Sequence, residues 1–255
     1  MKTTNVIIAI LIVAAPWGSF PYAAKALTSS ATRGEGRNSQ ELLIADKKVD
    51  DYIKKGIEKA RKGDYQGALE EFNQALRRNA NSVEAYLNRG NVYSMMDNQT
   101  AAISDYTQVL RFNPGAIEAY IGRASAHSAL RNQPAAIADY NQALQLNPNY
   151  IEAYIGRGGA HASQGDFPAA IGDLNEALRL NPNSAAAYYN RGSVYATQSD
   201  RAAAIRDFQR AAQLFQQQNN ENLHQQTLNR ISQLQQQPKT YDQSQKSIVK
   251  IPKTK

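Results

Sequence analysis

The sequence predicts an all-α protein built as an α-solenoid, in which five helical hairpins stack in a row and a further helix caps the last hairpin. Three observations lead to this fold class. The chain aligns with itself at an offset of 34 residues, from residue 49 to about residue 218. Within each unit the recurring residues lie three or four apart, which places them on one face of a helix. The middle units also close on the same Asn-Pro pair.

Small and aromatic residues define the repeating unit. The first helix of each unit carries a tyrosine column, Tyr52, Tyr86, Tyr120, Tyr154 and Tyr188. Four residues later comes a column of small residues, Gly56, Gly90, Ala124, Gly158 and Gly192. The second helix carries a column of large apolar residues between small ones, Phe72, Tyr106, Tyr140, Leu174 and Phe208. Because glycine and alanine let two helices approach closely, we expect the large side chains to fill the space beside them.

The turn inside each unit carries a residue suited to begin a helix. Asp or Asn recurs there, and its side chain can accept a hydrogen bond from a free backbone amide: Asp64, Asn98, Asn132, Asp166 and Asp200. Pro134 and Pro168 follow two residues later, inside the first helical turn, where proline is tolerated. A single hairpin of this kind cannot bury its own apolar face, so neighbouring hairpins must stack.

This pattern resembles the tetratricopeptide repeat family. The resemblance covers about two-thirds of the chain. The first and last units depart from it, since Ala80 replaces the closing proline and Phe215-Gln216 replaces the Asn-Pro pair. The resemblance implies an open, right-handed arc of paired helices, in which the first helix of each pair lines a concave groove.

The chain divides into a signal peptide, a linker, the repeat array, a cap and a tail. We assign the five repeats to residues 49–82, 83–116, 117–150, 151–184 and 185–218. A long leading helix from residue 39 to residue 62 enters the first repeat. The remaining boundaries are 1–26 for the signal peptide, 27–38 for a flexible linker, 39–218 for the array with its leading helix, 219–237 for an amphipathic capping helix and 238–255 for a disordered basic tail.

The N-terminal segment predicts export. Lys2 precedes ten apolar residues, Val6–Ala15, which are too few to span a bilayer because a spanning helix needs ~20 residues. Ala24 and Ala26 supply the small residues that a signal peptidase reads, so we expect cleavage after Ala26, with an uncleaved anchor as the alternative. The predicted location is the periplasm; the thylakoid lumen and the extracellular space are alternatives.

Composition excludes several function classes. The chain has no cysteine, so it has no disulfide, thiolate metal site or cysteine nucleophile. Its formal charge is +7, but five lysines in the tail, opposed by one carboxylate at Asp242, carry much of this excess. The repeats therefore have no cationic face for a nucleic acid. The segment Lys239–Lys255 could contact an anionic membrane surface weakly, or it could be a solvated tail.

Two charged columns of the repeats favour a structural interpretation over a ligand site. A basic column and an acidic column recur together, and we expect them to form partly buried ion pairs: Lys55–Glu71, Arg89–Asp105, Arg123–Asp139, Arg157–Asp173 and Arg191–Asp207. Glu84, Glu118 and Glu152 each follow three residues after Asn or Gly, which predicts a capping box. Recruitment of a basic partner is the alternative for these glutamates.

No residue pattern of an enzyme or a metal site is found. His127 and His161 occupy a column that holds Tyr93 and Tyr195 in other repeats, so we expect them to replace those rings in the packing. No nucleophile–base set, phosphate-binding loop or ligand cluster is present. The sequence predicts no catalytic residue, no metal and no cofactor.

The remaining candidate site is the predicted groove. The residue after each column tyrosine should face it, with small or amide-bearing residues nearby that could bond a peptide backbone. The candidate residues are Ile53, Lys54, Leu87, Asn88, Asn91, Ile121, Ser125, Ile155, Tyr189, Asn190 and Ser193. The alternative is that the apolar members pack against the next repeat.

The sequence therefore predicts a protein-interaction scaffold. Its partner would be a peptide segment of an unknown exported or membrane protein, bound during assembly or localisation of an envelope complex. The alternative is a structural subunit of a membrane-associated complex that uses its convex face and basic tail.

Overall fold

The computed structural model describes residues 39–236, and side chains from residue 47 onward. The predicted signal peptide, linker and basic tail lie outside these residues. Over the described range the chain forms eleven α-helices and no strand. The helices are α1 (Ser39–Arg61), α2 (Tyr65–Arg78), α3 (Val83–Met95), α4 (Gln99–Phe112), α5 (Ile117–Ala129), α6 (Gln133–Leu146), α7 (Ile151–Gln164), α8 (Phe167–Leu180), α9 (Ala185–Thr197), α10 (Arg201–Gln217) and α11 (Glu221–Gln236).

The helices form five hairpins that stack in chain order. Each odd-numbered helix from α1 to α9 packs against the even-numbered helix that follows it, and each even-numbered helix up to α8 also packs against the next odd-numbered one. Helix α11 packs against α10. Successive odd-numbered helices up to α9 contact one another as well, so they lie on the inner side of the stack. The predicted all-α solenoid with a C-terminal capping helix is confirmed.

The second helix of every hairpin begins at the predicted capping residue. Asp64, for example, accepts a hydrogen bond from the amide of Gly67 at 2.9 Å, and Asn98, Asn132, Asp166 and Asp200 cap their helices in the same way. The proline of α6 and that of α8 lie within the first turn. The residue before each cap has a positive φ, at Gly63, Asp97, Arg131, Gly165 and Ser199.

A large side chain from each even-numbered helix fills the core of its hairpin. Phe72, Tyr106, Tyr140, Leu174 and Phe208 are all buried. The rings lie against the small residues of the preceding helix, since a Cβ added at Gly56 would stand 2.6 Å from Cε1 of Phe72. The small residues therefore let the two helices approach closely, and the large side chains fill the space beside them, as predicted from the sequence.

The predicted capping boxes are wrong. The first helix of each repeat begins one residue later than the boxes require, because Ser82 and Ser184 cap α3 and α9, while α5 and α7 have no side-chain cap. Glu84, Glu118 and Glu152 are then the second residues of their helices and cannot reach back as the third residue of a box does. All three are exposed.

The capping helix buries a slightly different stripe from the predicted one. The predicted stripe was Leu223, Leu228, Ile231 and Leu234. Leu228 is 39% exposed, whereas Thr227 is fully buried and donates its hydroxyl to the carbonyl of Leu223 at 2.6 Å. Ile231 is buried, and Leu223 and Leu234 pack beside it on α10 and α9 residues. None of the helices in the described part of the chain is long and apolar enough to cross a membrane.

Candidate functional site

The arginines of the basic column are paired with the aspartates of the acidic column, so they are not available to bind a ligand. In four repeats the arginine donates through Nε and Nη2 to both carboxylate oxygens of an aspartate; for Arg89 and Asp105 the distances are 2.8 and 2.7 Å. Arg123, Arg157 and Arg191 bind Asp139, Asp173 and Asp207 in the same way. The aspartates are buried and the arginine side chains are about one-fifth exposed. The predicted ladder is confirmed in these four repeats.

Each arginine also reaches back to the preceding repeat, which the sequence columns did not reveal. Nη1 of Arg157 donates to Oδ1 of Asn141 at 2.6 Å, and Asn141 lies on α6, one repeat earlier. Arg89, Arg123 and Arg191 make the equivalent bond to Asn73, Thr107 and Asn175. The guanidinium of each also lies 5.5–5.9 Å from the ring centre of its column tyrosine. A single arginine therefore joins three helices across every repeat junction.

The predicted Lys55–Glu71 pair is wrong. Glu71 instead accepts a hydrogen bond from Nζ of Lys59 at 2.6 Å. Lys59 stands in the column that holds Tyr93 and the two histidines, one helical turn after Lys55. Lys55 is exposed, with Nζ 5.9 Å from the ring centre of Tyr52.

The two histidines lie half-buried in the packing and form no metal centre. Burial lowers the pKa of His127, the charge of Asp139 opposes this shift, and that of Arg123 adds to it. His161 has Nδ1 3.8 Å from Oδ2 of Asp166. Among the residues that the structure describes, no group of three His, Asp or Glu side chains could hold a metal ion.

The five apolar residues expected in the groove differ in exposure: three are half-buried and two are buried in the core. Leu87, Ile121 and Ile155, which we call the apolar row, are half-buried on the inner helices α3, α5 and α7, each packing one side against a core. Ile53 and Tyr189 are only 3% and 4% exposed, so their predicted exposure is wrong. Ile53 joins the first core, and the Tyr189 ring lies 5.3 Å from that of Phe208.

Most of the predicted amide-reading residues are occupied inside the protein. Asn88 is buried and donates its side-chain amide to the carbonyl of Glu84 at 2.8 Å. Asn91 is half-buried and accepts the hydroxyl of Tyr106 at 2.8 Å. Asn190 and Ser193 are buried, so the prediction that they and Asn88 face an open groove is wrong.

The other two polar candidates keep some exposure. Lys54 is exposed on α1 and Ser125 is half-buried on α5. These two residues, the half-buried Asn91 and the three of the apolar row are therefore the predicted site residues that a partner could reach most directly.

The glycines of the middle repeats do not leave room for a ligand. A Cβ added at Gly122 would stand 2.6 Å from Cζ of Tyr106, and one added at Gly156 would overlap Cζ of Tyr140. The phenol ring of the preceding repeat therefore occupies that space. Where the preceding large residue is Phe72 or Leu174, which lacks a hydroxyl, the corresponding position holds Asn88 or Asn190.

An open cavity lies at the N-terminal end of the inner face. Its volume is about 600 Å³, and Ile53, Lys54 and Ile57 of α1 form part of its wall together with Glu84 of α3. Asp50, Glu58 and Arg61 complete the lining. The cavity therefore lies between α1 and the start of α3, and its wall combines two isoleucines with charged side chains.

Sequence reasoning did not connect the exposed glutamates with this surface. Glu84, Glu118 and Glu152, which we call the glutamate row, each lie three residues before a member of the apolar row. Residues three apart on a helix share a face, so the two rows run side by side. The burial and the charges of Glu152 and Glu118 together raise the pKa of Tyr150 to about 12, and Glu152 has the larger electrostatic effect. The spacing was visible in the sequence, but the capping-box interpretation hid it.

Comparison with known proteins identifies the family. Family models described as TPR repeat and as Tetratricopeptide repeat match the chain at residues 58–97, 132–165 and 158–199, and at 83–115 and 185–218, respectively. Together the matched ranges cover more than half of the chain. The chain belongs to the tetratricopeptide repeat family. This family provides non-enzymatic scaffolds for protein–protein interaction, so the prediction of a non-enzymatic interaction scaffold is confirmed at that level.

Several solved structures share the fold. MamA is 27% identical over 65% of this chain and 96% of its own, with a TM-score of 0.58. TTC0263 of Thermus thermophilus, described as a thermophilic TPR protein, is 18% identical over 73% of this chain and 98% of its own, with a TM-score of 0.60. YrrB, described as a TPR protein with an unusual peptide-binding site, is 22% identical over 75% of this chain and 98% of its own, with a TM-score of 0.55. No curated protein matches the chain in sequence.

Proposed function

We propose that the inner face of this tetratricopeptide repeat protein binds a peptide segment of another exported or membrane protein, in assembly or localisation of an envelope complex. The observation that carries the proposal is the half-buried apolar row on α3, α5 and α7, beside which the glutamate row is exposed. If these apolar residues served helix packing alone, neighbouring helices would cover them fully. A peptide that covers them would bury the rest of their surface.

Two further observations support this binding mode. The 600 Å³ cavity continues the same surface onto α1, where Lys54 is exposed. YrrB, which has the same fold, is described as having a peptide-binding site, so the scaffold is compatible with this function. The export step of the proposal comes from the N-terminal sequence, Val6–Ala15 followed by Ala24 and Ala26.

The test is crosslinking capture of a partner from the native envelope fraction, using two matched double variants. The inner variant carries Ile121→Gln and Ile155→Gln. The control carries Ile137→Gln and Ile171→Gln, which change half-buried isoleucines on the outer helices α6 and α8. Circular dichroism establishes that both variants are folded.

We expect the inner variant to lose the captured partner and the outer variant to keep it, because only the inner residues would contact the peptide. Equal capture by the unsubstituted chain, the inner variant and the outer variant would refute groove binding. Loss of the partner in the outer variant alone would show that the binding site is on the convex face.

One observation favours the structural-subunit alternative. Met96 and Leu130 are 42% and 51% exposed where α3 and α5 end, on adjacent repeats at one edge of the stack. Together they form an apolar edge that a permanent neighbour in a complex could cover. Capture that survives the inner variant but fails with Met96→Gln and Leu130→Gln would select this alternative.

A further inference from the structure

The inner face of α3, α5 and α7 carries a row of negative charge. The arginines of these helices are Arg89, Arg123 and Arg157, and each is bound to an aspartate and to an Asn or Thr on the outer helices. Their charge is therefore balanced by the aspartates rather than by the glutamate row. Lys54 and Arg61 of α1 line the cavity together with Glu84, at the end of the groove, so the negative charge of the middle repeats comes from Glu118 and Glu152. A segment that binds along the middle repeats should carry positive charge together with apolar side chains.

The chain itself contains a segment of this composition. Residues 246–255 read KSIVKIPKTK, in which the branched apolar residues Ile248, Val249 and Ile251 alternate with lysines. Lys246, Lys250 and Lys253 are four and three residues apart. In an extended chain these intervals span roughly 13 and 10 Å. Successive inner helices, and hence successive glutamates, are ~10 Å apart, so the two charge patterns have similar spacing.

The length of chain beyond α11 is sufficient to bring these residues together. Helix α11 ends at Gln236, and α7 lies two repeats back, ~20 Å along the stack. The glutamates lie near the opposite ends of their helices, which adds ~20 Å in the perpendicular direction. The ten residues from Gln236 to Lys246 span up to ~33 Å, which exceeds the resulting diagonal of ~28 Å to Glu152. By the same estimate Lys250 reaches Glu118 and Lys253 reaches Glu84.

We propose that residues 246–255 of this chain bind in the groove of the same molecule, with the lysines on the glutamate row and the branched residues on the apolar row. The inference rests on the proposed function, because the tail would occupy the surface that binds the partner. A tethered segment has an effective concentration in the millimolar range, so it competes with a free partner even when its intrinsic affinity is modest. A successful partner would need the same combination of lysine or arginine with branched apolar residues.

The test uses the full chain and pairs of spin labels. Because the chain has no cysteine, Ser247→Cys in the tail and Ala129→Cys on α5 can be labelled uniquely. Ala129 is exposed and lies eight residues after Ile121, on the same helix face. Double electron–electron resonance on dilute protein should give one short, narrow distance distribution between the labels.

Two charge-matched triple variants identify the contact. In the labelled chain, Glu84→Gln, Glu118→Gln and Glu152→Gln should broaden the distribution. The control set, Glu70→Gln and Glu176→Gln on the outer helices and Glu221→Gln on α11, removes the same charge and should leave the distribution narrow. Lys246→Gln, Lys250→Gln and Lys253→Gln should broaden it as the inner set does. Circular dichroism verifies that each variant is folded.

Three results would overturn the inference. The first is a broad distribution in the chain with its native tail. The second is a narrow distribution that persists in the inner triple variant. The third is a short distance that appears only between singly labelled copies at high concentration, which would make a second copy the occupant. A tail that remains broad in buffer and binds phosphatidylserine vesicles would instead assign it to a membrane surface.

Partner capture separates this inference from the proposed function. If the tail does not bind the groove but the Ile121→Gln, Ile155→Gln variant still loses the partner, the proposed function stands and the inference fails. If the tail binds the groove but partner capture does not depend on Ile121 and Ile155, the inference stands and the proposed binding of a partner peptide in the groove fails. If both hold, the triple lysine variant should capture several-fold more partner than the unsubstituted chain.

Discussion

At the scale of single residues, the arginine of each repeat junction has the widest set of contacts. It bonds a buried aspartate of its own hairpin, an Asn or Thr of the preceding hairpin and the face of a tyrosine. Bidentate pairing with a carboxylate requires the planar guanidinium, and this explains why arginine rather than lysine accompanies aspartate in four repeats. The same contacts make these arginines unavailable to a phosphate or an acidic ligand.

Breaking one of these pairs should destabilise the array. Asp139→Ala leaves the Arg123 guanidinium partly buried without its carboxylate, so we expect the free energy of unfolding to fall by about 3 kcal/mol. Glu176→Ala removes the carboxylate from an exposed pair with Arg179 and should cause no measurable change. Urea denaturation followed by circular dichroism measures both variants, and equal stabilities would contradict the structural role of the ladder.

The half-buried histidine His127 predicts a specific pH dependence. Burial lowers the pKa of folded His127 below its ordinary value of 6.5, so the unfolded chain binds the proton more readily. The contribution of His127 to stability is therefore complete above pH ~6.5 and is lost as the pH falls toward the folded-state pKa. His127→Tyr, which reproduces the residue of two other repeats, should reduce the loss of melting temperature between pH 7.5 and pH 5.5. An identical loss in both proteins would show that His127 does not titrate in this way.

A left-handed residue in each turn offers a way to stabilise the protein. Arg131 has φ of 60°, whereas Gly63 and Gly165 occupy the same position in other hairpins at 81° and 83°. A non-glycine residue in this conformation costs about 1 kcal/mol relative to glycine. Arg131→Gly should therefore raise the free energy of unfolding by up to about 1 kcal/mol, and Gly165→Arg should lower it by a similar amount. Chemical denaturation measures both changes, and a stability loss on Arg131→Gly would contradict the strain argument.

At the scale of helices, two columns of neighbouring repeats are coupled. Where an even-numbered helix contributes a tyrosine, as at Tyr106 and Tyr140, the next odd-numbered helix has glycine at the facing position. Where the even-numbered helix contributes Phe72 or Leu174, that position is asparagine. The tyrosine ring reaches the backbone of the next helix, so a tyrosine at the first position requires glycine at the second.

This coupling predicts a rescue experiment. Gly122→Asn places a side chain where the Tyr106 ring lies and should lower the free energy of unfolding by about 2 kcal/mol. Adding Tyr106→Leu creates the Leu–Asn combination that Leu174 and Asn190 form naturally, and it should recover part of the loss. Gly172→Ala is the control, because a Cβ there meets nothing within 4 Å; alanine should stabilise α8 by up to about 1 kcal/mol. Additive losses in the double variant would refute the coupling.

The helices could be predicted from the sequence because their signals are local and repeated five times. The caps at Asp64 and Asn98, the proline positions and the Arg–Asp ladder all follow from spacing along one or two helices. The burial of Asn88 and Ser193 could not be derived in this way, because it depends on how closely the next repeat approaches. Glu84 was assigned to a capping box because a shift of one residue in the start of α3 cannot be read from the sequence.

At the scale of the whole molecule, the outer and inner helices carry different sets of residues. The outer helices contribute the aspartates and large apolar residues that hold successive hairpins together. The inner helices α3, α5 and α7 carry the half-buried apolar row and the exposed glutamate row. The stacking of hairpins does not depend on the exposed parts of these two rows. Under the proposed function, both rows can therefore vary with the partner while the fold is retained.

The most direct test of this division is hydrogen–deuterium exchange on the chain with and without the partner peptide that crosslinking captures. We expect the peptide to slow exchange in α3, α5 and α7, and to leave α4, α6 and α8 unchanged. Protection confined to the outer helices, or absent from the inner ones, would contradict the assignment of the inner face as the binding surface.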